Sequence, residues 1–122
     1  MSASPKRVRA EQSGRLAERL AEIAYRLRGF DILDRRFKAA GGEIDLVARK
    51  GGLLVFIEVK RRAAIEAAIF AVTATNRRRL EQAGRSWVSR HPVFARADLR
   101  YDIAAVAGWR VEIIADAWRE GR

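Results

Sequence analysis

The sequence predicts an α/β sandwich with the element order αβββαββ. Three observations point there. Leu16, Leu20, Ile23 and Leu27 recur at helical spacing near the start of the chain. Two strongly apolar segments, 44–48 and 53–59, flank Gly51-Gly52, the composition of a two-residue hairpin loop. A second helical stretch, from Thr73 or Thr75 to about Ser89, is followed by two further strand-like segments.

Residues 1–10 read as a basic tail (Lys6, Arg7, Arg9), 11–118 as one domain and 119–122 as a C-terminal tail. The first helix is expected over about 11–28, with Ser13 or Gln12 at its start and Gly29 as its stop. Its Leu/Ile stripe is the expected buried face, widened by Ala17, Ala21 and Ala24. Glu18 borders the small-residue sector, and Glu22 lies farther out. Residues 30–37 read as the first strand, and the hairpin follows at about 43–48 and 53–61. Residues 63–71 are small and apolar and fit a loop or a short helix. The second main helix carries Leu80, Ala83 or Gly84, and Trp87 on its apolar side. Arg77-Arg78-Arg79 sit in its first turns, where positive charge opposes the helix dipole, a hint of a ligand-facing role. His91-Pro92 ends this helix, with His91 as a C-terminal cap or a surface residue rather than a catalyst. Strands at about 99–106 and 110–114 close the chain around Ala107-Gly108-Trp109. Asp102 is placed to accept a structural hydrogen bond, and Trp109 and Trp118 read as edge packing.

The hairpin carries the chemistry. With Gly51 and Gly52 as its loop, Lys50 pairs with Leu53, Val47 with Phe56, Asp45 with Glu58 and Glu43 with Lys60. Directly paired residues share a face, with Cβ atoms about 4.5–5.5 Å apart. The other face carries Ile44, Leu46 and Ala48 against Val55, Ile57 and Val59, wholly apolar, so a one-residue slip is costly. Asp45, Glu58 and Lys60 then converge at one end of one face. Two carboxylates and an ammonium suit a divalent metal and a phosphodiester. The competing reading is a cross-strand ion pair, worth about 0.2–1 kcal/mol.

Composition narrows the partners. The net charge is +10 and the pI about 11.3, which favours polyanions, chiefly nucleic acid. Arg61, Arg62, Arg77, Arg78, Arg79 and Arg85 are the expected phosphate contacts. Cysteine is absent and His91 is the one histidine, which argues against thiolate and His-rich metal sites. There is neither a long apolar run nor the apolar core of a signal peptide, so the expected setting is cytoplasmic, with no membrane partner.

Gly42-Glu43-Ile44-Asp45-Leu46-Val47-Ala48 and Val55-Phe56-Ile57-Glu58-Val59-Lys60-Arg61 resemble the PD-(D/E)xK nuclease superfamily, with Ile44 where the proline of that name would stand. Four more stretches narrow the resemblance to the bacterial YraN-like family. They are Gly14-x-x-x-Glu18-x-x-Ala21, Gly29-Phe30-x-Ile32-Leu33-x-Arg35, Arg77-Arg78-Arg79-Leu80 after Ala71-Val72-Thr73, and Arg100-Tyr101-Asp102-Ile103. It covers about residues 14–118. Ala17 and Asn76 depart from the family, which often has a glycine and a basic residue there, and 63–68 lacks its usual glycine.

The resemblance implies a restriction-endonuclease-like three-layer sandwich, a mixed sheet flanked by helices, similar to archaeal Holliday-junction resolvases. It implies Asp45, Glu58 and Lys60 as catalytic residues, with Mg²⁺ or Mn²⁺ on Asp45 and Glu58. Glu18, matching a helical glutamate of those relatives, would add a further ligand. Glu43 belongs to the family motif without an assigned role. The function so implied is hydrolysis of phosphodiesters in branched or structured DNA, DNA being favoured over RNA, with room for a homodimer. The alternatives are a non-catalytic nucleic-acid-binding module and an accessory interaction protein in DNA repair or translation.

Overall fold

The structure, a computed structural model, describes residues 4–120. Helix α1 (Pro5–Leu27) starts well ahead of residue 11 because Ser4 caps it. The Ser4 hydroxyl accepts the Arg7 N–H at 3.2 Å, and Pro5 occupies the first turn, where no N–H is needed. Residues 5–10, expected in a tail, are therefore helical; the rest of that tail, 1–3, and residues 121–122 of the C-terminal one lie outside the described residues.

Strands β1 (Asp31–Ala39), β2 (Gly42–Lys50), β3 (Leu53–Arg61), β4 (Asp98–Ala107) and β5 (Arg110–Trp118) form one sheet in the order β1-β2-β3-β4-β5. Only β3 and β4 are parallel. Their crossover holds a short helix, α2 (Ile65–Phe70), and the longer α3 (Ala74–Arg90). The open reading of 63–71 thus resolves to a helix. The expected αβββαββ order stands, with α2 and a short 3₁₀ turn at Pro92–Phe94 added. Among the described residues no helix is long and apolar enough to cross a membrane.

The sheet has a core on each face. Ala21 and Tyr25 of α1 pack on Leu46, Ala48, Val55, Ile57 and Ala104. Leu80, Ala83 and Trp87 of α3 pack on Val47, Leu54, Phe56, Tyr101 and Ile103. Thr73 caps α3 through a capping box with Asn76, which settles the choice between Thr73 and Thr75. His91 closes that helix as expected, Nδ1 lying 2.7 Å from the Trp87 carbonyl and the ring stacked on the indole.

Two expectations about packing are corrected. The buried face of α1 is Ala17, Ala21 and Tyr25, while Ile23 is 54% and Leu27 83% exposed. Small side chains let α1 lie close on the sheet. The Tyr25 hydroxyl donates to buried Asp102 at 2.7 Å, which fixes the helix's rotation; Leu16 and Leu20 stay half-buried at its border, and Ile23 and Leu27 turn outward. Trp118 is buried and donates Nε1–H to Glu81 at 2.9 Å, but Trp109 is 76% exposed and packs no edge.

Gly42 opens β2 directly beneath α3. A Cβ there would lie 2.0 Å from the Arg79 carbonyl oxygen, a backbone atom that cannot rotate away. Gly42→Ala is therefore expected to lower stability by about 3 kcal/mol or more. Urea unfolding checks this; a shift under about 1 kcal/mol would show that α3 can slide off β2.

Candidate functional site: an acidic fork between β2 and β3

The hairpin adopts the expected register. Gly51, at φ +59°, makes the turn, and pairs run from Lys50↔Leu53 through Val47↔Phe56 to Leu46↔Ile57. There the ladder stops, so Asp45/Glu58 and Glu43/Lys60 are not ladder pairs. Instead Asp45 Oδ2 accepts the Val59 N–H at 2.7 Å, its carboxylate taking a donor the sheet leaves free. The two strands fork at this point.

The fork also breaks the alternation of β2. Ile44 packs in the α3-side core, whereas Leu46 and Ala48 pack on the α1 side. The expected single apolar face of Ile44, Leu46 and Ala48 is thus split at Asp45. β1 shows a matching irregularity. Asp34 accepts the Trp87 indole N–H on the α3 side, while Arg35 and Arg36 both bond glutamates of α1. Arg36 has φ +51°, a conformation uncommon for a side-chain-bearing residue.

Asp45 and Glu58 are brought together here. Burial, then the neighbouring Glu58 charge, push the Asp45 carboxyl up to about 7; Glu18 and Glu43 push the same way, and the Val59 hydrogen bond opposes. Burial also raises Glu58, against the pull of Lys60, whose Nζ lies 3.4 Å from Glu58 Oε1. Both carboxylates are therefore disfavoured as anions, which is the condition a cation relieves. Mg²⁺ commonly takes only one or two protein carboxylates and keeps water for its remaining positions. Asp45 and Glu58 fit that donor set.

Glu18 does not complete a trio. Among the described residues no group of three His, Asp or Glu side chains is placed to hold an ion. Glu18 bonds Arg36 at 2.8 Å instead, and Glu22 bonds Arg35 and Arg26. The Arg35 hydrogen bond, with Arg26 assisting, lowers the Glu22 carboxyl to about 2. Glu18, Arg36, Lys38, Glu43, Ile44 and Asp45 line a cleft of about 190 Å³ beside the fork. Sequence reasoning missed Arg36, because nothing in Arg35-Arg36 signals that both would turn to the same helix.

The arginines divide into two groups. Arg62, Arg78 and Arg79 are exposed, and Arg79 lies close enough to favour the Glu58 anion. Arg85 is exposed but ion-paired with Glu120. Arg61 and Arg77 serve the fold. Arg61 donates to the Ser13 and Gly108 carbonyls, and Arg77 lies over the Trp118 ring at 5.2 Å.

The raised Asp45 carboxyl sets a pH signature. Its folded value, about 7, exceeds the ordinary 3.8, so across that window the folded protein holds a proton the unfolded chain has released. Stability is then greatest below about pH 4 for this group and is lost as pH rises through about 7. The melting temperature of wild type is expected to fall from about pH 5 to about pH 8, and to fall less in Asp45→Asn. Equal slopes in the two proteins would show that Asp45 titrates normally.

Fold and fork together define a class: a mixed α/β sandwich with two half-buried carboxylates and a lysine at the open end of its central hairpin. A family model described as Uncharacterised protein family UPF0102 matches residues 17–106. A UPF0102 protein of Paramagnetospirillum magneticum is 42% identical over 125 residues, covering 97% of both chains. Another, from a Chelativorans species, is 48% identical over 100 residues, 82% of this chain and 81% of that one. A third, from Methylobacterium nodulans, is 50% identical over 94 residues, 77% and 73%. The chain belongs to the UPF0102 family, in keeping with its YraN-like motifs.

Proposed function

We propose that the protein is a metal-dependent nuclease that hydrolyses phosphodiesters in branched or structured DNA. The observation that carries the reading is the Asp45–Glu58 pair at the fork, with the Lys60 ammonium 3.4 Å from Glu58. Asp45 and Glu58 would hold Mg²⁺ or Mn²⁺. Val59 supports that role, since its N–H fixes one Asp45 oxygen. When bound, the cation supplies charge neutralisation at the phosphate and a lowered pKa for water. Lys60 donates to the phosphate oxygens as negative charge builds on them. Attack by water on phosphorus breaks the bond to the 3′ oxygen, which takes a proton, leaving a 5′-phosphate and a 3′-hydroxyl. Arg62, Arg78 and Arg79 would grip the backbone without reading sequence, so affinity should fall steeply with salt.

The Glu18–Arg36 pair favours a second reading, a nucleic-acid-binding module without catalysis, because it withholds the third carboxylate. Cleavage separates the two. Junction, flap, single-stranded and duplex DNA are incubated with wild type, Glu58→Gln and Lys60→Ala in Mn²⁺ or Mg²⁺. Products from wild type that fall at least about 100-fold in both variants support the nuclease. Salt-sensitive binding with no products from any substrate supports the binding module.

A further inference from the structure

We infer that Trp109 is a stacking platform for an unpaired nucleobase, set beside the acidic fork. The inference rests on the nucleic-acid reading above and names the feature of the substrate that the site would select. Of the three tryptophans, Trp87 and Trp118 are buried and Trp109 alone is open to solvent. It sits with Gly108 in the two-residue turn between Ala107 and Arg110, which pair across β4 and β5.

That turn lies at the site's end of the sheet. Parallel pairing places Lys60 opposite Ala105 and Arg61 opposite Val106, so the turn begins just past the last residues of β3. From the strand rise and the spacing between strands, the Trp109 backbone stands about 13 Å from that of Lys60. The turn is also tied down. Arg61 donates to the Gly108 carbonyl at 3.3 Å and to Ser13 of α1 at 3.4 Å, and the Arg62 N–H donates to Val106 at 3.0 Å. The indole is thus presented on an anchored turn next to the residue that follows Lys60.

Its surroundings choose the ligand. The segments meeting here, 59–62 and 107–112, carry Lys60, Arg61, Arg62 and Arg110 against Glu112 alone. Among the described ion pairs, neither Arg62 nor Arg110 has an acidic partner. An exposed indole on a turn whose neighbouring segments are mostly basic suits a base and its phosphates, and stacking accepts any base. The immediate neighbours Ala107, Gly108 and Arg110 add no large apolar surface of the kind a protein-docking patch needs. A base within a duplex has both faces covered, so the partner must be unpaired, as at a flap, a gap or a junction.

The test follows tryptophan emission and affinity in the full chain. A short oligo(dT) and a blunt duplex are titrated into wild type, Trp109→Ala and Trp109→Phe at low salt. Oligo(dT) is expected to quench the solvent-exposed emission of wild type. Trp109→Ala should lose that quenching and about tenfold in oligo(dT) affinity, Trp109→Phe should lose the quenching but keep most of the affinity, and duplex affinity should not change. Equal oligo(dT) affinity in wild type and Trp109→Ala would overturn the inference. So would parallel losses on single strand and duplex, or an emission shift with anionic vesicles but not with oligo(dT). Cleavage by the same proteins keeps the two claims apart. Stacking without products overturns the nuclease and leaves the platform, whereas wild-type cleavage with oligo(dT) affinity indifferent to Trp109 overturns the platform alone.

Discussion

Asp45→Asn is expected to lower divalent-dependent cleavage about 1000-fold while leaving the protein folded. The amide oxygen of asparagine can still accept the Val59 N–H, so the 2.7 Å contact that seals the fork survives. What disappears is the charge. Burial and the Glu58 anion already oppose that charge in the protein alone, so its loss should not weaken the apo fold. The variant thus separates catalysis from stability. Wild-type turnover in Asp45→Asn would remove Asp45 from the reaction, and with it the reading of the fork as an active centre.

The second large effect concerns the fold. Asp102 is fully buried and its two oxygens serve four donors. Oδ2 accepts from the Tyr25 hydroxyl at 2.7 Å and from Arg100 at 2.9 Å, while Oδ1 accepts from Arg100 at 2.8 Å and from the Asp116 N–H at 2.9 Å. Burial, and the Asp102 charge beside it, push the Tyr25 hydroxyl far up, so it stays a donor. Asp102→Ala strands all of these groups at once. A loss of about 3–5 kcal/mol is expected, or about 10–20 °C in melting temperature. Tyr25→Phe removes one bond and should lose only about 1 kcal/mol. A shift below about 1 kcal/mol in Asp102→Ala would mean that the network does not hold α1 on the sheet.

Why some of this was legible in the sequence, and some not, follows from where each constraint lies. The hairpin register rests on neighbours: Gly51-Gly52 sets the loop, and Val47 and Phe56 must meet inside. Both are read from a dozen consecutive residues, and both hold in the structure. The cap at Thr73 and the stop at His91 are equally local. The orientation of α1 is not. Its Leu/Ile stripe has the stronger periodic signal, but Tyr25 reaches an aspartate 77 residues away and overrules it. The break in β2 is likewise hidden, because Ile44-Asp45-Leu46 looks like regular alternation. It needs the sheet's own free donor at Val59 and room for Ile44 beneath α3, and both come from tertiary structure. Resemblance alone puts Glu18 near the site, and its partner Arg36 comes from a strand whose irregular backbone no pattern announces.

The central claim is that Asp45 and Glu58 share one divalent ion. Calorimetric titration of Mn²⁺ tests it most directly, in two buffers of different ionisation enthalpy, at about pH 6.5, just below the Asp45 value of about 7. Wild type should bind with a heat that depends on the buffer, because a proton leaves Asp45 as the ion arrives, and Asp45→Asn should show neither the binding nor the proton. Identical heats from the two proteins, or none from wild type, would contradict it.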